Sequence, residues 1–280
     1  MIAPVVLVLG TAQDGGVPHA GCACDTCRAA RAGAAGTPRR LVASIAIVGH
    51  TGRALVVDAT PDLPAQIAAL GRVLGRPVPG LDGLLLTHAH TGHILGLGCL
   101  GREVMDVRGL PLWASASMAR YLTENRPWSH LVERGSVDLC VVRPEEPFPF
   151  DGLRVTPFLS PHRAEDTDTL GIEIEGPRYR LLYVPDADAF PPRLAARIRQ
   201  ADVALVDGTF YDAGELAGRA IEEIPHPFAA ESVRTLAGAR GPVFFTHLNH
   251  TNRLLDPDPA RRPSLPDGFE VLARGERFAL

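Results

Sequence analysis

The 280-residue chain carries 28 basic residues, every one an arginine, against 32 acidic ones, for a formal net charge of −4, and 46% of its residues are hydrophobic. That balance supports a sizeable core and leaves no basic footprint for a nucleic-acid backbone. The absence of lysine excludes Schiff-base and lysine-nucleophile chemistry, and no apolar run is long enough to span a membrane.

The first apolar stretch, 5–9, lacks a preceding basic region and reads as a strand, not a secretory leader. A glycine-rich turn, 10–16, follows without the spacing of a dinucleotide or phosphate loop. Three of the five cysteines, Cys22, Cys24 and Cys27, fall within six residues. That density suggests metal ligation in a reducing compartment, so a cytoplasmic protein is expected. Residues 28–43 read as an Arg- and Ala-rich surface connection, and strands 44–49 and 53–58 bracket a turn at His50. Asp62 is placed to cap a helix over 63–75, with Leu63, Ile67, Leu70, Val73 and Leu74 on one face. A strand at 83–86 then runs into His88, His90 and His93.

Further on come a strand at 110–115, a helix at 116–124, a loop carrying His130, a strand at 137–142 and a proline-rich turn at 144–149. Strand 153–159 leads to His162; strands 170–175 and 179–184 lead to Asp186. A helix at 191–200, strand 203–207, loop 208–228, helix 229–238 and strand 242–246 lead to His247. The tail 269–280 reads as a hairpin around Arg274-Gly275. Helices interleave with strands in both halves and no linker divides them. The expected architecture is α/β: one domain over 1–280, an αββα sandwich of two mixed sheets with helices on the outer faces.

His88 and His90 are two apart, so on an extended segment both imidazoles point the same way, and His93 follows one turn later. Three imidazoles at one strand-to-helix turn indicate a metal site, since neutral imidazole suits zinc, iron and copper. His162, Asp186 and His247 also follow apolar strands, where sites converge. Cys22, Cys24 and Cys27 could hold a structural zinc with one ligand from elsewhere. Asp207 and Asp14, and with less support Asp188 and His19, are candidates for orienting metal-binding histidines.

The His-x-His-x-Gly-His spacing after an apolar strand, the strand-end His162 and Asp186, and the late Thr246-His247 resemble the metallo-β-lactamase superfamily over almost the whole chain. The Gly-rich turn followed by Cys-x-Cys-x-x-Cys, and the segment Thr60-Pro61-Asp62, are most similar to the branch containing coenzyme PQQ synthesis protein B (PqqB) and the PhnP-type phosphodiesterases. The resemblance implies that His88, His90 and His162 hold one metal, that His93 and His247 hold a second, and that Asp186 bridges. It implies a structural zinc on Cys22, Cys24, Cys27 and His250, and one or two Zn, Fe or Mn ions in the active site. By the same resemblance Asp186 and His226 are the catalytic candidates. His226 would be a general acid, with packing between Pro225 and Pro227 the competing role. The motif's usual aspartate is Gly92 here, which is expected to remove one anionic ligand and one candidate base.

The expected function is metal-dependent hydrolysis of a small phosphodiester, ester or lactone by metal-activated water. The alternatives are a PqqB-like iron-dependent oxidative enzyme in PQQ or peptide-derived natural-product biosynthesis, and a non-catalytic ligand-binding member of the fold. The expected partner is a small-molecule or peptide-derived substrate, with no nucleic acid and no membrane, and with a homodimer left open.

Overall fold

Along the central strands successive side chains face opposite ways, and both ways are apolar. Strands β1 (Val5–Gly10), β2 (Ser44–Val48) and β3 (Ala54–Val57) send Val6, Val8, Ile45, Ile47, Leu55 and Val57 into one core. Their alternate residues, including Leu7, Leu9, Val48 and Val56, enter another. A strand buried on both faces in this way lies between two apolar layers. The computed structural model, which describes residues 3–76, 81–216, 218, 220 and 223–280, shows those layers.

Two seven-stranded sheets stack face to face. The first adds β4 (Gly83–Leu85), β5 (Leu110–Ala114), β6 (Val137–Val141) and β14 (Arg277–Ala279), in the order β14-β1-β2-β3-β4-β5-β6. The second contains β7 (Phe148–Phe150), β8 (Leu153–Ser160), β9 (Thr169–Glu175), β10 (Arg180–Val184), β11 (Val203–Asp207), β12 (Val243–Thr246) and β13 (Phe269–Val271), in the order β13-β12-β11-β10-β9-β8-β7. Between the sheets, Ile45, Ile47, Leu55 and Leu85 meet Val155, Ile172, Ile174 and Tyr183. Outside the first sheet pack α2 (Leu63–Leu74), α4 (Ala116–Glu124) and α5 (Trp128–Glu133), through Leu63, Ile67, Leu70, Met118, Leu122 and Leu131. Outside the second pack α6 (Pro192–Gln200) and α7 (Ala229–Thr235), through Leu194, Ile198 and Ala229. This is the expected αββα sandwich.

Strands β3 to β6 run parallel, as do β10 to β13. β1 shares the direction of β3, and β8 that of β10, because each is separated from it by one antiparallel neighbour. The carboxyl ends of β1, β3, β4, β8, β10, β11 and β12 therefore gather at one rim, where open α/β sheets place their ligands.

Several expectations need correction. Residues 28–43 are not all connection, since α1 spans Asp25–Ala32, its Thr26, Cys27 and Ala30 buried and its end marked by Gly33 in the left-handed region. His130 sits on α5, not in a loop, and its side chain is exposed. Asp62 makes no side-chain cap; its Oδ2 accepts from Val42 N at 2.8 Å and ties α2 to the approach to β2. Val73 is exposed, off the buried face of α2. Part of the proline-rich turn at 144–149 is the edge strand β7. The tail is not a hairpin. β13 pairs in parallel with β12 in the second sheet, while β14 pairs antiparallel with β1 in the first. The chain crosses between the sheets there, and Leu272 and Leu280 enter the core between them. Among the described residues no helix is long and apolar enough to cross a membrane.

The crossing makes Leu272 a core residue at 0% exposure. Leu272→Ala should destabilise the protein by about 2–5 kcal/mol, measured by denaturant unfolding. A loss below about 0.5 kcal/mol would mean the tail packs on the surface instead.

Candidate metal centre

The histidines of this rim share one arrangement: one ring nitrogen is held by a fixed partner and the other faces inward. His93 Nδ1 lies 2.7 Å from Asp58 Oδ2, His162 Nδ1 2.7 Å from Asp188 Oδ1, and His247 Nδ1 2.9 Å from Thr209 Oγ1. His88 Nδ1 lies 3.0 Å from Thr87 Oγ1, which itself donates to Asp58. His90 is turned the other way, with Nε2 3.2 Å from Glu165 Oε2 and Nδ1 inward, 2.9 Å from His88 Nε2. Outer partners of this kind fix the tautomer and leave the inner nitrogen a lone-pair donor.

Asp186, 2% exposed, stands at the centre. Its Oδ2 lies 3.4 Å from His88 Nε2, 3.5 Å from His93 Nε2 and 3.6 Å from His247 Nε2, and its Oδ1 lies 3.3 Å from His162 Nε2. The donor atoms of His88, His90, His162 and Asp186 fall within 4.8 Å of one another, as do those of Asp14, His93 and His247. A third such group joins Asp186 and His247 to Asp207 and His226. The space beside Gly92 is filled by Asp14, which reaches in from the turn after β1 and brings Oδ1 to 3.6 Å from His93 Nε2.

Four buried atoms at this focus have no hydrogen-bond partner: Asp14 Oδ1, His93 Nε2, Asp186 Oδ1 and His247 Nε2. Buried polar atoms are ordinarily paired, and leaving them unpaired costs about 1–3 kcal/mol each. Imidazole and carboxylate lone pairs converging on one point fit a divalent cation. Burial holds His88 and His162 below the ordinary imidazole range, in the neutral form a metal requires. Burial acts the same way on His93, but Asp58, Asp186 and Asp14 outweigh it and raise that ring. Burial would raise the Asp186 carboxyl, yet His247, His88 and His93 hold it well below the carboxylate range. On Asp14, burial is likewise outweighed by His247 and His93, and its carboxyl is lowered.

Local conformation aims these groups. Asp58 and His247 are non-glycine residues in the left-handed region, at φ 68° and 57°. The tight reversals there turn Asp58 back onto Thr87 N at 2.8 Å, and His247 toward Thr209. The loop over His90 is strapped down at two points. Ala89 N donates to Thr167 Oγ1 at 3.1 Å, and Asp168 accepts from the hydroxyls of Ser115 and Ser117. Asp207 holds three groups: Ala187 N at 3.0 Å, Thr209 N at 2.8 Å and His226 Nδ1 at 2.8 Å. Asp188 thus holds an expected ligand, His162, whereas Asp207 holds His226, Asp14 stands among the donors and His19 lies beside His250. Asp58, Thr87, Thr209 and Glu165 were not singled out from sequence. A strand-end aspartate at 58, equivalent to the strand-end signals used elsewhere, was the available clue.

The cysteine cluster is separate. Cys22 Sγ and Cys24 Sγ lie 3.6 and 3.5 Å from His250 Nδ1, and Cys27 completes a four-donor group. Cys24 N donates to Cys22 Sγ and His19 N to Cys27 Sγ, at 3.4 and 3.2 Å. The His19 ring packs against His250 with centroids 4.6 Å apart. Three thiols and an imidazole match a closed structural zinc site. Cys99 and Cys140 lie apart from it, half-buried. A cleft of about 910 Å³ beside α6, lined by Phe158, Leu159 and Leu194, reaches the metal centre at His162.

A model of the β-lactamase superfamily domain matches residues 53–248, so the fold and rim described here are those of a β-lactamase-superfamily protein. Coenzyme PQQ synthesis protein B of Methylorubrum extorquens is 30% identical over 292 residues, 93% of this chain and 94% of that one. The Azotobacter vinelandii protein of that name is 30% identical over 301 residues, 96% and 98% of the two chains. The chain belongs to this family. The crystal structure of Zn(2+)-bound PqqB from Methylobacterium extorquens superposes with a TM-score of 0.86 at 28% identity, covering 99% of this chain and 100% of that one. A diphosphatase of the PhnP family has the same fold, with a TM-score of 0.73 at 22% identity over 100% and 98% of the chains.

Two outcomes are expected. Asp58→Asn keeps a residue that tolerates the left-handed region but removes the charge facing His93. It should cost about 1–3 kcal/mol of stability and weaken active-site metal binding roughly 10–100-fold, read by denaturant unfolding and metal titration. Unchanged metal affinity would reduce Asp58 to a packing role. Cys24→Ser should lose the zinc of the cysteine site and lower the melting temperature, leaving the active-site metal in place. Unaltered zinc content and melting would remove the structural-zinc assignment.

Proposed function

We propose that the protein is a metal-dependent hydrolase of a small phosphodiester, ester or lactone. The observation that carries this reading is His226. Its ring is 6% exposed, and its Nδ1 lies 2.8 Å from Asp207 Oδ2 and 3.5 Å from Asp186 Oδ1, at the border of the donor set. Burial disfavours its charged form, but Asp207 outweighs that and lifts the ring to about 9. With Nδ1–H donating to Asp207, the charged ring retains a proton on Nε2 to give to a departing oxygen.

Metal bound by His88, His90, His162 and Asp186, and by His93, His247 and Asp186, would acidify water and polarise a scissile carbonyl or phosphoryl oxygen. Asp58, Asp188, Thr87 and Thr209 hold the outward imidazole nitrogens, so that a bound metal would meet the inward ones. All of these donors except the partly exposed His90 are almost fully buried, so the reacting group of the substrate must be slim enough to enter the rim beside His90.

The similarity to coenzyme PQQ synthesis protein B along nearly the whole chain supports a second reading. This is iron-dependent oxidation of a PQQ precursor or another peptide-derived substrate, for which imidazole and carboxylate donors are equally suited. A ligand-binding protein without turnover has less support, since all six expected donors converge.

The test compares zinc-, manganese- and iron-loaded protein on bis-p-nitrophenyl phosphate, p-nitrophenyl esters and lactones, with oxygen uptake on tyrosine-containing peptides run in parallel. Hydrolysis is expected. His226→Ala should lower kcat roughly 10²–10⁴-fold on substrates with poor leaving groups, and far less on p-nitrophenyl substrates, without changing metal content. Oxygen uptake without hydrolysis would overturn this reading in favour of the oxidative one.

A further inference from the structure

Gly92 occupies the position where the superfamily motif has an aspartate, and its surroundings show what replaced that side chain. A Cβ built on Gly92 would lie 2.0 Å from Asp14 Oδ1, 2.6 Å from Asp14 Cγ and 2.7 Å from Asp14 Cα. Gly92 sits in α3 (Thr91–Ile94) at ordinary helical dihedrals, so nothing in its own backbone demands glycine. The demand comes from the Asp14 carboxylate, which takes up the volume that a side chain at 92 would need.

The carboxylate is aimed, not merely lodged there. Gln13 to Gly16 form a turn closed by Gly16 N donating to Gln13 O at 2.7 Å, with Gly16 at φ 67°. The turn is pinned to the segment that carries His247, because Gln13 N donates to Leu248 O at 3.0 Å and Ala12 bridges Leu248. Gln13 Nε2 engages Asp14 Oδ2 at 3.2 Å, which leaves Oδ1 pointing inward. Oδ1 stands 3.6 Å from His93 Nε2 and 3.8 Å from His247 Nε2, and all three atoms are buried without a hydrogen bond. These separations are too long for hydrogen bonds. They are close to the roughly 3.4 Å between two ligands that each stand about 2.1 Å from one ion at the tetrahedral angle.

We infer that Asp14 is the motif's missing carboxylate moved to another strand end, and that with His93, His247 and Asp186 it completes a second metal position. Two imidazoles and two carboxylates suit zinc, manganese or iron there. The loss at Gly92 and the gain at Asp14 are one exchange, and the centre keeps its anionic ligand count. On this reading the ligand expected to be lost at Gly92 is supplied by Asp14. Gly92→Asp alone would place a second carboxylate on top of the first.

This inference rests on the reading of the rim as a metal centre, not on hydrolysis, so the test reads metal and not turnover. Wild type, Asp14→Asn, Gly92→Asp and the double variant Asp14→Gly/Gly92→Asp are loaded with zinc, desalted and analysed for metal. Circular dichroism follows the fold, and a chromophoric chelator supplies affinities. Wild type should hold about three ions per chain, one at the cysteines and two at the rim. Asp14→Asn should hold about two, or bind the weaker rim ion at least tenfold less tightly. Gly92→Asp alone should not tighten that ion and should lower the melting temperature. The double variant should regain the ion lost in Asp14→Asn. Full occupancy at wild-type affinity in Asp14→Asn overturns the inference, as does tighter binding in Gly92→Asp alone or a folded double variant that regains nothing. Wild type with zinc only at the cysteines would instead defeat the metal-centre reading itself.

Discussion

Asp186, itself buried, brings its two carboxylate oxygens within 3.6 Å of four imidazole nitrogens. A buried carboxylate is costly unless opposite charge or hydrogen bonds compensate it. Here the surrounding rings are held with their lone pairs inward, so they cannot all serve as donors to it. Metal held by these donors would supply compensating positive charge. The rest of the rim follows from that requirement. Asp58, Asp188, Thr87 and Thr209 hold the outer nitrogens and so aim the inner ones at Asp186.

This requirement also accounts for the backbone. Asp58 and His247 take left-handed conformations that non-glycine residues adopt at a cost of order 1 kcal/mol or more. Both lie immediately beyond parallel strands whose cores fix the chain's entry into the turn, and both are essentially unexposed. Packing in the sandwich over-determines these conformations, and metal binding is what they serve. The second sheet contributes on the same terms, with Asp207 joining the segments after β10 and β11 to the loop before α7 through Ala187, Thr209 and His226.

Much of this was legible in the sequence because the signals were local. Short apolar runs marked the strands, and polar residues directly after them marked His88, His90, His162, Asp186 and His247. The parts that escaped were set by pairing at a distance. Period two says that 269–271 and 277–279 are strands, but not that they join different sheets. Prolines hid β7 and the start of α5, since proline is tolerated at edges and helix beginnings as readily as in turns. Gly92 could be read as a loss, but its partner Asp14 lies in a turn whose position is fixed by Leu248, which no local pattern reveals.

The turn at Gln13–Gly16 and the cysteines at 22, 24 and 27 both find their partners on residues 247–250. On the ribosome this imposes an order. The three cysteines emerge first and have no histidine to close upon until almost the whole chain has been synthesised. During that interval the thiols are open to oxidation and to stray metal, and Asp14 can face His93 but not His247. The cysteine group can close only once His250 has emerged, and the group of Asp14, His93 and His247 waits almost as long, so their completion is a late event in the life of the nascent chain. A chain interrupted just before residue 247 would carry His88, His90, His162 and Asp186 together but could complete neither of those two groups.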